Sequence, residues 1–337
     1  MRVERGARNL ITDVAGILVG NAEDHPARTG ATVVLCATPA IAAVDVRGGA
    51  PLTVGASSLE PSGLVEEVDA IVLSGGSAFG LAATDGVRSW LAARERGLAF
   101  GGARVPIVVG AILFDLTNGG DKAWGDTPPY RALGIAAADG AASDFALGNA
   151  GAGLGARAGA LKGGLGSASL VFEQGGAPLT VGALAAANPV GSVVMPGQST
   201  MWAWALEQAQ ELGGQRAPTA GLDQATLDHA FPGEPRPGTA LAVVATDARL
   251  TQAEAGRVAV MAQDGFARAI RPVHTPYDGD VVFVLATGRR GPVDPGAGLA
   301  RLGMHAADCV ARAIARGVYE ARDLGQLRSY RTVHGQR

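Results

Sequence analysis

Lysine is almost absent from this chain. Of 28 basic residues only Lys122 and Lys162 are lysines, and the rest are arginines. Both sit in glycine-rich segments, Gly119-Gly120-Asp121-Lys122 and Lys162-Gly163-Gly164, which suits places where a compact ammonium is wanted instead of a planar guanidinium. Cysteine is as scarce. Cys36 and Cys309 are too few for a disulfide framework or a cysteine metal cluster, and they read as small buried hydrophobes in a reducing cytoplasm. No excess of one charge exists either. The formal net charge is −3 and no basic stripe appears, which argues against nucleic acid or an anionic membrane as partner. No apolar run reaches membrane-spanning length. The first residues, MRVERGARNLITDV, are charged and lack the apolar centre of a signal peptide, so a soluble cytoplasmic protein is expected. There is no P-loop and no zinc-ligand spacing. Gly151-Ala152-Gly153-Leu154-Gly155-Ala156 mimics a dinucleotide fingerprint, but no strand leads into it and no helix follows. Neither a cofactor nor a metal is expected.

Glycine and apolar residues are abundant. The chain has 337 residues, 47% of them hydrophobic, enough for a large core in one domain spanning 1–337. Glycine accounts for 50, about twice the usual share. The glycines cluster at Gly48-Gly49, Gly75-Gly76, Gly119-Gly120, from Gly148 to Gly166, and at Gly175-Gly176. Such clusters suit tight turns and close backbone approach, and a bias toward Gly, Ala and Arg accounts for part of the excess.

Periodicity predicts two short strands around a Pro turn over 31–46, a strand at 69–73, a helix over 78–95, a strand pair over 105–116 and a helix over 130–146. Further strands are expected at 167–173 and 179–195, interrupted at Asn188-Pro189, with a helix over 201–213. A polar connection with four prolines fills 214–238. Beyond it come a strand at 239–246, an amphipathic helix over 251–270 opened by a Thr251/Glu254 capping box, a strand at 280–286 and a closing helix over 296–318. Strands and helices come in pairs without strict βαβ alternation. That pattern favours an α/β chain with stacked sheets flanked by helices over a doubly wound sheet.

The junction Pro237-Gly238-Thr239-Ala240 carries the sharpest chemical hint. A small residue precedes a hydroxyl residue that opens an apolar strand. If the Gly238–Thr239 bond breaks, Thr239 gains an α-amine with a pKa of about 7.7–8, able to accept the hydroxyl proton near neutral pH. The same residues also fit an ordinary loop-to-strand boundary. In His274-Thr275-Pro276-Tyr277-Asp278-Gly279-Asp280, two carboxylates flank a glycine at a strand entrance and can converge on one point, though Asp-Gly-Asp is also common turn chemistry. His274 beside a proline turn reads as structural. Asn188, next to a strand-breaking proline, fits an oxyanion donor and equally a turn cap. Ser74-Gly75-Gly76-Ser77 lies at a strand-to-helix turn. It departs from a nucleophile elbow because Phe79 stands where the second glycine belongs, while its backbone N–H groups offer a place for a substrate carboxylate.

Taken together, Val44 to Gly49, Ser74 to Leu81, Lys162 to Gly166, Asn188 to Gly191, Gly238-Thr239 with Val243 to Ala248, and His274 to Asp280 make the chain resemble the DmpA-type peptidase family, S58. That family groups L-aminopeptidase/D-esterases, β-peptidyl aminopeptidases and nylon-oligomer hydrolases. The resemblance covers nearly the whole chain. It implies an αββα sandwich similar to N-terminal-nucleophile hydrolases and to ornithine acetyltransferase. It further implies self-cleavage into chains 1–238 and 239–337, and a homo-oligomer of αβ units, by the resemblance a tetramer. By position, Thr239 matches the nucleophile, Asn188 the oxyanion asparagine and Lys162 a lysine near the nucleophile. Asp278 and Asp280 match the acidic pair of the nylon-hydrolase branch, where peptidase members carry Ser-x-Glu. Phe114, with Ser74, Gly75, Gly76 and Ser77, is a candidate substrate contact, and it departs from members that have tyrosine there. Gly238 matches aminopeptidase members, whereas nylon hydrolases have asparagine. The expected function is a self-processing amide hydrolase acting on short peptides, D-amino acid amides or esters, β-peptides or ω-amino-acid oligomers. The alternatives are an acyltransferase with the same nucleophile and an unprocessed binding protein.

Overall fold

The computed structural model describes residues 3–218, 221 and 236–335. The chain opens with β1 (Val3–Arg5), β2 (Ile17–Asp24), the long β3 (Thr29–Val46), β4 (Thr53–Val54) and β5 (Glu67–Ser74). Helix α1 (Ala82–Ala92), the hairpin β6 (Leu98–Phe100) and β7 (Ala103–Val105), β8 (Val108–Ile112) and helix α2 (Tyr130–Asp139) follow. Next come β9 (Arg157–Ala158), β10 (Leu161–Lys162), β11 (Gly164–Gln174), β12 (Ala177–Asn188) and β13 (Thr239–Thr246). Helices α3 (Gln252–Ala262) and α4 (Asp264–Ala269), strand β14 (Val281–Ala286), and helices α5 (Ala297–Glu320) and α6 (Tyr330–His334) complete the fold.

The main ladder runs β1-β11-β12-β13-β14-β3-β5-β8-β4, with β2 also on β3. Strand β3 joins its two halves. Residues 31–35 pair with β5 and residues 41–46 with β14, and the register shifts between Leu35 and Ala40. A bulge there turns one strand from one layer into the next. The expected pair of short strands around Pro39 is therefore one strand with an irregularity.

Alternation along the strands builds three apolar layers. In β13, Leu241, Val243 and Ala245 pack in a central core with Val281, Phe283 and Leu285 of β14 and with Ile71 and Leu73 of β5. Ala240, Ala242 and Val244 face the other way, against α3, α4 and α5. On the opposite outer side, Val33, Ala70 and Val72 pack under α1 and α2. Helix–sheet–sheet–helix is thus the layer order, as the sequence led us to expect. Glycine makes the close layer contacts possible. A Cβ on Gly166 of β11 would lie 1.9 Å from the Ala313 carbonyl oxygen of α5.

Several helix expectations change in detail. The 201–213 helix is absent, and only a short 3-10 turn, Trp204–Leu206, forms there. Ala209 and Gln210 take positive φ. Glu211 turns inward to the buried Arg312, at 2.6 Å. A buried ion pair overrides local helix propensity here. The 130–146 helix stops at Asp139 before Gly140, because Ala142 instead bridges to Val19 of β2. The 251–270 helix divides at Gln263 into α3 and α4, and Thr251 and Glu254 cap its start reciprocally. Most of the polar connection over 214–238 lies outside the described residues.

Candidate active site

Strand β13 begins at Thr239 for local reasons. Pro237 has no N–H to donate to a ladder, and Pro189 ends the partner strand β12 in the same way. The last pair of the β12–β13 ladder is Asn188 with Thr239. By alternation both side chains turn toward the space between the sheets, at the open end of the central core. Both residues are buried, Thr239 at 4% exposure and Asn188 at 2%.

The turn from His274 to Asp280 grips the chain on either side of the Gly238–Thr239 bond. Gly238 N–H donates to the Tyr277 carbonyl at 3.0 Å, and Gly279 N–H donates to the Gly238 carbonyl at 3.1 Å. The Thr239 hydroxyl donates to that same Gly238 oxygen. Asp280 Oδ1 accepts from Ala240 N–H at 2.7 Å, while its Oδ2 lies 2.8 Å from His274 Nδ1. Asp278 Oδ1 accepts from Val190 N–H at 2.9 Å. Its Oδ2 accepts from the Thr275 hydroxyl at 2.6 Å and the Thr275 N–H at 3.0 Å. Asp280 thus holds the backbone just after Thr239, Asp278 ties the turn to the end of β12 through Val190, and the hydroxyl itself turns to the carbonyl of the preceding residue. Burial pushes the Asp278 carboxyl up, and the neighbouring Asp280 charge adds to the effect.

The glycines around this turn admit no side chain. A Cβ on Gly238 would sit 2.4 Å from Val190 N. One on Gly279 would sit 2.8 Å from the Thr239 hydroxyl, and one on Gly48 2.2 Å from the Asp278 carbonyl oxygen. The Arg47-Gly48-Gly49 end of β3 can therefore lie flat on the Asp-Gly-Asp turn. There Arg47 and Gly48 N–H both donate to the Asp280 carbonyl.

Asn188 is fixed at both ends. Its Oδ1 accepts from Arg157 N–H at 2.8 Å and its Nδ2 donates to the Phe114 carbonyl at 3.1 Å. Lys162 pairs with Arg157 across the β9–β10 ladder. It is wholly buried, and its Nζ donates to the Gly153 and Gly163 carbonyls, each at 2.8 Å. Burial pulls the amine down to about 7, with the Asp115 charge opposing. An amine held by two neutral carbonyls, with no carboxylate in contact among the described residues, is poised to be neutral.

A cleft of about 520 Å³ opens beside this junction, with Phe114, Asp115, Asn188 and Pro237 on its wall together with Arg28, Arg157 and Arg236. Thr239, Asn188, Asp278, Asp280 and Gly238 thus share one neighbourhood, and Phe114 lines the cleft and holds Asn188 through its carbonyl. Ser74, Gly75, Gly76 and Ser77 do not line it. Their N–H groups are engaged internally: Gly75 to the Gly30 carbonyl, Gly76 to Asp115 Oδ1 at 2.8 Å and Ser77 to the Leu113 carbonyl. That loop binds Asp115, which the sequence did not single out. His274, read as structural, is the partner of Asp280. Its one sequence signal was its place six residues before that aspartate. Nothing in the sequence pointed to the arginines of the cleft.

Residues 9–331 match the profile of peptidase family S58. The chain belongs to peptidase family S58. An uncharacterized aminopeptidase of Mycobacterium tuberculosis is 43% identical, over 96% of this chain and 98% of that protein. A 6-aminohexanoate-oligomer endohydrolase of Agromyces sp. is 30% identical, over 89% and 81% respectively. Among solved structures, an L-aminopeptidase D-Ala-esterase/amidase from Ochrobactrum anthropi superposes with a TM-score of 0.72. It is 23% identical, over 100% of this chain and 97% of that one, and is described as a variant of the Ntn hydrolase fold. The S58 chain described here is accordingly a peptide or amide hydrolase with that fold. No helix among its described residues is long and apolar enough to cross a membrane.

Proposed function

We infer that this S58 protein matures by cutting its own Gly238–Thr239 bond and then hydrolyses small amides with the freed Thr239. The contact of the Thr239 hydroxyl with a Gly238 carbonyl already polarised by Gly279 N–H carries this reading. In the first step Oγ1 attacks the Gly238 carbonyl carbon and the C–N bond to Thr239 breaks. The hydroxyl proton passes to the departing nitrogen. This leaves Gly238 as an ester on Oγ1 and Thr239 with a free α-amine, and water then releases Gly238 as a carboxylate. In turnover Oγ1 attacks the substrate carbonyl and the α-amine takes its proton. The amine passes that proton to the leaving nitrogen, and water resolves the acyl-enzyme.

Each neighbour has a role that its contacts support. Asp280 holds the backbone after Thr239, and Asp278 fixes the turn that bonds Gly238, so that Oγ1 cannot drift from the carbonyl. Asn188 Nδ2, level with Thr239 in the ladder, is the oxyanion donor in turnover. Lys162 pairs with Arg157, whose N–H holds Asn188, and fixes that segment through the Gly153 and Gly163 carbonyls. The substrates in view are short peptides, D-amino acid amides or esters, β-peptides and ω-amino-acid oligomers, in keeping with the relatives. Exposed apolar residues on the β6–β7 hairpin, Leu98, Phe100 and Val105, support association of several copies.

Intact-mass measurement of the purified protein tests the reading. Two fragments ending and starting at 238/239 are expected, and Thr239→Ala should yield one uncut, inactive chain. A full-length wild-type chain that turns over amides would refute it.

A further inference from the structure

The wall of the cleft carries an unbalanced charge. Arg28, Arg157 and Arg236 all line it, and their hydrogen-bond partners are backbone carbonyls. Arg28 donates to Asn118 O at 3.2 Å, Arg157 Nε to Gly159 O at 2.8 Å, and Arg236 Nη2 to Pro189 O at 2.6 Å. Several other arginines, among them Arg88, Arg131, Arg268 and Arg312, pair with carboxylates, but none of these three does so among the described residues. Nε of Arg236 is buried and has no hydrogen-bond partner among the described residues. The one carboxylate on the wall, Asp115, is occupied by the Thr29 hydroxyl at 2.6 Å and by Gly76 N–H. Arg157 also touches the reacting centre, since its backbone N–H holds Asn188.

Three guanidiniums that touch no carboxylate among the described residues, in a concave, partly desolvated site, make a field that concentrates anions and offers planar donors matched to a carboxylate. We propose that this cleft selects substrates bearing a free carboxylate close to the scissile amide, such as aminoacyl or ω-aminoacyl amino acids, over their neutral amides. This rests on the hydrolase reading above and adds a substrate class to it. The chain's own Gly238 carboxylate, once freed, is a competing occupant of the same field.

The test uses matched pairs, glycyl-, β-alanyl- and 6-aminohexanoyl-glycine against the corresponding glycinamides, with released glycine or glycinamide followed by mass spectrometry on protein whose intact mass has been recorded. We expect kcat/KM to favour the acid by about tenfold or more, and the preference to shrink as salt is raised. Arg157→Gln, which keeps the backbone donor to Asn188, should cut the acid-to-amide ratio several-fold, mainly through KM. Arg28→Gln should do the same independently, and Arg157→Lys should restore most of it. Cut protein that turns over acid and amide equally would overturn the substrate proposal alone and leave the arginines to the Gly238 carboxylate. Uncut protein inactive on both members of every pair would remove both readings together.

Discussion

Replacing Lys162 with methionine should change how stability depends on pH, with a sign fixed by burial. The amine falls from 10.5 to about 7 in the folded protein, which amounts to roughly 5 kcal/mol against its charged form. The folded pKa lies below the unfolded one, so between these values the unfolded chain holds a proton that the folded chain has released. Stability therefore rises with pH from about 7 toward 10.5, and the full penalty applies below about 7. Between pH 7 and 9 the wild-type lysine should gain roughly 2 kcal/mol that methionine does not. Methionine leaves the Gly153 and Gly163 carbonyls without their donor, at about 1–3 kcal/mol each, independent of pH. Urea unfolding at both pH values, in a Thr239→Ala background where the proposed cut cannot occur, measures the difference. The wild-type midpoint minus the methionine midpoint should rise by roughly 0.5–1 M at the higher pH, for a slope of about 3 kcal/mol/M. Midpoints displaced equally at both pH values would mean that Lys162 stays charged when buried, and the argument would fail.

Other changes have similarly definite outcomes. Asp280→Asn sets an amide N–H₂ against the Ala240 N–H or His274, and processing followed by gel densitometry should slow at least ~10²-fold if the carboxylate fixes the attack geometry. Gly238→Ala drives a methyl to within 2.4 Å of Val190 N, so the chain should emerge largely uncut, and normal processing would refute the close fit. Gly166→Ala meets the Ala313 carbonyl at 1.9 Å and should cost roughly 3 kcal/mol, read as a drop of several degrees in Tm. Arg312→Met removes the main partner of the buried Glu211, leaving it Arg316 at 3.7 Å and Asn9, with an expected loss of about 3 kcal/mol in denaturant unfolding.

The sequence revealed the parts of the fold that depend on strong local patterns. Strand β13 runs from Thr239 to Thr246 as its apolar run foretold, and Thr251 caps α3 as its box with Glu254 required. Expectations failed where distant contacts decide the local structure. Glu211 leaves a helical stretch to reach Arg312, a partner 101 residues away that no window of sequence can see. Thr239, Asn188 and the two aspartates could be named because they sit in short motifs beside strand ends. The indirect part they play, through backbone N–H groups, depends on pairings between β12, β13 and the 275–280 turn that only the folded chain displays. The arginines of the cleft come from three separate segments with nothing in common locally.

If the proposed cut at 238 occurs, the strand order keeps the two pieces together. β13 and β14 are wedged between β12 on one side and β3 on the other, so segments from before and after residue 238 alternate across a shared ladder. Severing the link would not let the pieces drift apart, because each supplies hydrogen-bond partners and apolar faces that the other lacks. It would, however, turn a first-order search for the native state into an encounter between two molecules. Denatured precursor should renature at a rate indifferent to dilution, whereas denatured mature protein should recover poorly and more slowly the more it is diluted. Maturation would then work as a ratchet, in which the fold is reached once as a single chain and is afterwards kept by the height of its unfolding barrier.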